Sequence, residues 1–320
     1  MVGGARSGLH GVASALATYR SGVTDPSRPD PAGEPAGFVV VVEPGDRIHF
    51  LDWGGSGEPG VVLVHGLSAS AWVWAPVARR LIAARRTVAL DLRGHGLSDA
   101  PTENGAYDLD VLAADVVAVA EGSGLLDPEW EDGQVTLVGH GFGAIVAVAA
   151  AAVLGARCAR LVLVDGGLDH LPSSTGLDVD EFLRGLDEPP EVMRSMDAYL
   201  ADRRDWDPLS WDVDQERAAR AGVVETPAGR LVPATRPHAL EASVRTMFGY
   251  RPGPGLAEVV APIVAIRRVT PGDESVAVSD GPPREVLAVG ADLTTVEVAA
   301  PGHNLLRYRP DEVTAAILGR

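Results

Sequence analysis

The run "GVVLVHG" at residues 60–66 has no polar face. A strand that is apolar on both sides must be covered on both sides, so it belongs in the middle of a parallel sheet layered by helices. The neighbouring sequence repeats that demand. "TVALDLRG" (87–94), "QVTLVGH" (134–140) and "RLVLVDGG" (160–167) read as further strands. Between them lie segments of helical spacing: "AWVWAPVARRLIAA" (71–84), "LDVLAADVVAVAEG" (109–122) and the Ala-rich "FGAIVAVAAAAVLG" (142–155). This alternation predicts an α/β fold, a mostly parallel central sheet with helices on both faces. Upstream, "GFVVVVE" (37–43) and "RIHFLDWG" (47–54) read as two strands joined by the turn "PGD".

The rhythm stops at residue 168. Residues 168–256 carry helical fragments, many acids, prolines, Trp206 and Trp211. Strands resume at "PIVAIRR" (262–268) and "TTVEVAA" (294–300), and "PDEVTAAILG" (310–319) closes with a helix. The expected organisation is an N-terminal arm and linker (1–37), a core (38–167 and 257–320) and a helical cap (168–256). Within the arm, "LHGVASALATYRSG" suits one short helix and "VTDPSRPDPAGEPA" (23–36) an extended linker. Ligands of open parallel sheets bind beyond the carboxyl ends of the strands. The cap is therefore expected to roof a pocket there.

Composition removes several functions. A formal charge of −17 repels nucleic-acid backbones, so no nucleic-acid partner is expected. All 27 basic residues are arginine, which rules out Schiff-base chemistry on lysine. The single cysteine, Cys158, forbids an internal disulfide and a cysteine-rich metal site. No segment has membrane-span length, and the first twenty residues lack a secretory h-region. No metal-ligand spacing occurs, and "GHGFGA" lacks the third glycine and downstream acid of a dinucleotide site. The expectation is a cytoplasmic protein without metal, cofactor or membrane partner, acting on a small molecule.

"TLVGHGFGA" (136–144) has the frame Gly-x-nucleophile-x-Gly, with Gly139 and Gly143 outside and Gly141 at the centre. "VLVHGLS" (62–68), "LDLRGHGLSD" (90–99), "LVLVDGG" (161–167) and "APGHNLLRYRPDEV" (300–313) surround it in order. Together these motifs closely resemble the α/β-hydrolase superfamily over roughly residues 38–320. The resemblance implies an oxyanion hole from the backbone N–H groups of Leu67 and Phe142. It implies a catalytic histidine at His303 and an acid after the penultimate strand, Asp273, with Asp165 as its rival. It also implies a nucleophile at position 141, and there this chain departs: Gly141 has no hydroxyl, thiol or carboxylate.

The other candidates divide by chemistry. His65, His95 and His140 read as turn and packing residues, with His140 also on the pocket wall beside Gly141. Ser68 either points into the site or caps the helix beginning near Ala71. Trp206, Trp211 and Phe248 are either pocket wall or cap core. Acidic cap residues such as Asp178 and Glu181 read as a solvated helix face.

Three functions are compatible with a vacant elbow. The first is an enzyme of secondary metabolism that needs no covalent nucleophile. In it His303 is general base and the Leu67 and Phe142 N–H groups hold an oxyanion, for direct hydrolysis or for lyase or cyclase chemistry. The second is a serine ester or lactone hydrolase inactivated by Ser-to-Gly at position 141. The third is a non-catalytic binder of small molecules. Without lysine, metal or a basic cluster, the expected substrate is a neutral, mainly apolar carbonyl compound.

Overall fold

Strands β3 (Gly60–Val64), β4 (Thr87–Leu90) and β5 (Val135–His140) are buried at every residue, as their unbroken apolar runs require. They lie at the centre of an eight-stranded sheet in a computed structural model that describes residues 33–127, 133–186, 195–269 and 292–320. The strand order is β1-β2-β4-β3-β5-β6-β9-β10. It is completed by β1 (Ala36–Val42), β2 (Asp46–Gly54), β6 (Cys158–Val164), β9 (Ile263–Val269) and β10 (Leu293–Ala299). Only β2 runs against its neighbours; from β4 to β10 every pairing is parallel. The edges β1 and β10 expose part of their length, which matches their mixed composition. The expected N-terminal helix and nearly all of the linker lie outside the described residues.

Helices α1 (Ala75–Leu81), α2 (Leu109–Gly122) and α3 (Phe142–Leu154) follow β3, β4 and β5. The segment 71–84, expected as one helix, begins as a 3₁₀ turn at Ala71–Trp74. Pro76, in the first turn of α1, lacks the N–H that would continue the ladder backwards. The position before that turn is Ser70, not Ser68, and its side chain makes no capping bond. The Ala71 N–H is taken by Asp91 Oδ1 at 2.7 Å instead, so Ser68 is not the helix cap. Close packing of α3 depends on Gly143, where a Cβ would lie 2.3 Å from the His65 carbonyl oxygen. Arg93 ties the end of β4 to α2 through a two-pronged pair with Asp115, at 2.9 and 2.8 Å; both side chains are buried.

Between β6 and β9 the described chain forms α4 (Leu171–Thr175), α5 (Val179–Gly185), α6 (Met196–Trp206), α7 (Val213–Ala221), α8 (Pro237–Gly249) and α9 (Pro252–Ala257). This segment also contains a hairpin the sequence did not suggest, β7 (Val223–Glu225) with β8 (Leu231–Pro233). Strands of three residues are too short for period-two alternation to declare itself. Tyr199, Leu200, Val223 and Leu231 give the segment a small core of its own.

Candidate active site

Gly141 connects β5 to α3 with φ +55° and ψ −116°, a conformation that glycine adopts at little cost. The turn is drawn tight by its neighbours: the Gly141 N–H donates to the Val164 carbonyl at 3.0 Å, and the Ala144 N–H donates to the Gly141 carbonyl at 3.1 Å. A Cβ at residue 141 would lie 2.9 Å from His303 Nε2. The imidazole thus stands against the place where a nucleophilic side chain would begin.

The loop before the short helix Leu305–Tyr308 carries His303. Its Nδ1 meets Asp165 Oδ2 at 2.7 Å. Because a carboxylate only accepts, Nδ1 carries the proton and the Nε2 lone pair faces Gly141. Asp165 directly follows β6 at φ +46°, and its Oδ1 accepts from the Arg268 N–H at 3.1 Å. Burial works against the Asp165 charge, but the hydrogen bond and charge of His303 outweigh it and hold its pKa below the ordinary carboxylate value. Asp165, the rival acid, is thus the carboxylate that meets His303 among the described residues. Asp273 lies outside them.

His140 has a second hold on the same loop. Its Nε2 donates to the His303 carbonyl oxygen at 3.1 Å, and the two rings lie 4.5 Å apart at 35°. Burial, reinforced by His303, lowers the His140 pKa to about 3, so this ring is neutral. His65 acts on the opposite wall. Its Nδ1–H donates to the Gly66 carbonyl at 2.7 Å, and its Nε2 accepts from the Leu92 N–H at 2.9 Å. In a trans peptide the C=O and the next N–H point to opposite sides. Holding the Gly66 carbonyl therefore turns the Leu67 N–H the other way. Phe142 begins α3, where the first N–H groups have no partner within the helix.

Leu67, Ser68, His140, Gly141, Phe142, Asp165, Trp206 and His303 line one cavity of about 540 Å³. Apolar side chains dominate the wall, among them Val73, Ile145, Leu171, Phe182 and Met247. Two of the expected wall residues sit elsewhere. Trp211 packs beside the small core between β6 and β9, with the Arg204 guanidinium 5.6 Å from its ring centre. Phe248 is buried behind Phe182, ring centres 5.3 Å apart. One residue along α8 is a rotation of about 100°, so Met247 reaches the cavity and Phe248 the core. Asp169, Arg307 and Tyr308, which also line the cavity, were not singled out from sequence. Arg307 lies on the short helix Leu305–Tyr308 that follows the His303 loop, and its nearness to His303 in the sequence was the available signal. Among the described residues no cluster of His, Cys, Asp and Glu suited to a metal occurs.

Residues 61–316 match the family described as "Alpha/beta hydrolase family". The chain belongs to that family. A 2-(acetamidomethylene)succinate hydrolase of Mesorhizobium japonicum is 28% identical over 82% of this chain and 87% of its own length. An N-formylmaleamate deformylase of Pseudomonas putida is 40% identical over 38% of this chain and 42% of its own length. Epoxide hydrolase 4 of Mus musculus is 34% identical over 34% of this chain, and the match spans 29% of that protein. Among solved structures, an E-2-(acetamidomethylene)succinate hydrolase superposes with a TM-score of 0.69 at 23% identity, over 89% of this chain and 98% of that one. In this α/β-hydrolase chain no helix among the described residues is long and apolar enough to cross a membrane.

Proposed function

We propose that this α/β-hydrolase chain hydrolyses a small carbonyl compound by general-base catalysis, without a covalent enzyme intermediate. The observation that carries the reading is His303 Nε2, 2.9 Å from where a Cβ at residue 141 would stand. The base occupies the approach that a nucleophile would use, and its lone pair is turned toward it. The His303 side chain is 58% exposed, so the ring is open to water.

In this reading Nε2 removes a proton from a water molecule as the water oxygen adds to the substrate carbonyl carbon. The Leu67 and Phe142 N–H groups receive the negative charge that develops on the carbonyl oxygen. Asp165 remains ionised, fixes the tautomer and stabilises the imidazolium. As the tetrahedral species collapses, the imidazolium returns its proton to the leaving group. Relatives named as a hydrolase and a deformylase support hydrolysis over elimination or cyclisation.

The test uses 4-nitrophenyl butyrate, followed by nitrophenolate release and by intact-protein mass. Linear release without a burst, no acyl adduct, and a loss of about 10²–10⁴-fold in His303→Ala are expected, the usual worth of a placed general base. An acylated protein, or a His303→Ala variant of unchanged rate, would refute the proposal.

A further inference from the structure

Arg307 is the one cation on the cavity wall among the described residues. Its side chain is only 9% exposed. One Nη2 bond, to the Asp207 carbonyl oxygen at 3.0 Å, fixes the guanidinium in place. The Asp207 carboxylate does not complete the pairing. Its Oδ2 stands 3.8 Å from Nη2, beyond hydrogen-bond reach, and already accepts from the Tyr308 hydroxyl at 2.5 Å and the Ser210 hydroxyl at 2.7 Å. Arg307 Nε is buried and has no hydrogen-bond partner among the described residues. A buried donor left without an acceptor is costly; the Nε atoms of Arg86 and Arg157 share that state, and what sets Arg307 apart is its place on the cavity wall.

From this we infer that Arg307 is a specificity-determining residue that receives a carboxylate group of the substrate. The inference rests on the cavity being the substrate site proposed above. A guanidinium carries five N–H donors, more than its one bond to Asp207 uses, and it pairs well with a carboxylate. Around it the wall is mainly apolar, so a charge there is weakly screened and felt strongly. The remaining charged wall residues, Asp165 and Asp169, repel an anion. Carboxylate at Arg307 and carbonyl at His303 is thus the orientation that the charges favour. This replaces the neutral substrate expected from composition: the basic cluster is absent, but one preset arginine in a largely apolar cavity is enough to recognise one negative charge.

Binding without turnover tests the idea. Unbranched carboxylates from butyrate to decanoate are each compared with their primary amide by calorimetry, using the full chain. The natural protein should bind at least one acid about 10–100-fold more tightly than its amide, as charge-assisted pairing predicts. In Arg307→Gln the preference should fall to within about twofold while amide affinity holds. Asp207→Asn, which removes the competing negative charge, should raise the preference severalfold and covers the case in which Arg307→Gln does not fold. Absence of preference in every pair, its survival in Arg307→Gln, or its loss in Asp207→Asn overturns the inference. His303→Ala should keep the preference. A His303→Ala variant that still hydrolysed ester would sink the general-base reading and leave this one standing.

Discussion

Replacing Gly141 by serine puts the missing nucleophile back, and the structure says what that costs. An L-residue at φ +55° and ψ −116° stores about 1–3 kcal/mol of backbone strain. The new Cβ would also lie 2.9 Å from His303 Nε2, inside the contact distance of two such atoms. His303 must retreat by roughly half an ångström or more to reach ordinary separation. It retreats against the 2.7 Å bond to Asp165 and the 3.1 Å bond from His140. For a domain of this size each kcal/mol lowers Tm by about 2–4 °C, so backbone strain alone should lower it by about 2–12 °C. Thermal unfolding reads that loss. Ester turnover, followed with 4-nitrophenyl butyrate, should fall or stay level, with no nitrophenolate burst. A Gly141→Ser variant of undiminished Tm that gave a burst and an acyl adduct would refute the reasoning. The chain would then be a serine hydrolase that lacks only its serine.

Other outcomes follow from the same contacts. Asp165→Asn should slow ester hydrolysis by about 10²–10⁴-fold without loss of fold, because the amide no longer fixes the Nδ1–H tautomer of His303; an unchanged rate would free Asp165 of that role. Burial lowers His95 and His140 to pKa values of about 3, so the unfolded chain binds more protons between about pH 6.5 and 3. The stability these rings give is therefore complete above about pH 6.5. It falls on acidification by up to about 1.4 kcal/mol per pH unit for each ring. Urea unfolding of His95→Phe between pH 6.5 and 4.5 should lose one proton's worth of that slope. Asp115→Ala, which leaves the buried Arg93 guanidinium with Asp46 as its one remaining carboxylate, should cost about 1–3 kcal/mol by urea unfolding, and a cost below about 0.5 kcal/mol would mean that water replaces the lost pair.

The core elements were readable because burial on both faces leaves a plain signature. "LDVLAADVVAVAEG" is α2 residue for residue, and the predicted runs at 37–43, 134–140 and 262–268 fall within one residue of β1, β5 and β9. The wall of the cavity was harder to read. Whether Met247 or Phe248 faces the substrate depends on the rotation of α8, which two adjacent apolar residues do not declare. The partner of His303 depended on which strand end comes near it, a property of the sheet and not of local sequence. Arg307 escaped notice because composition measures how many cations a chain has. It does not show that one of them is buried with a donor unspent.

The enzyme reading and the binder reading differ in what they ask of His303. A binder needs a wall of suitable shape, and any packed side chain can supply that. The ring here is constrained at separate points. Asp165 takes Nδ1–H, and the main-chain N–H of Arg268 steadies Asp165. The His303 carbonyl accepts from both His140 Nε2 and the Leu305 N–H. Across the cavity, His65 holds the Gly66 carbonyl and so directs the Leu67 N–H. In the proposed mechanism each tie orients a donor or acceptor toward the substrate, at the point where residue 141 offers no side-chain atom of its own. Fixed polar groups aimed at a place where charge can develop are what catalysis requires, and affinity for a mainly apolar ligand gains nothing from choosing one imidazole tautomer over the other. Under the proposed mechanism the glycine at the elbow has a physical reason: with φ +55° and no Cβ, it keeps the turn that would present the Phe142 N–H while leaving the histidine free to meet the substrate directly.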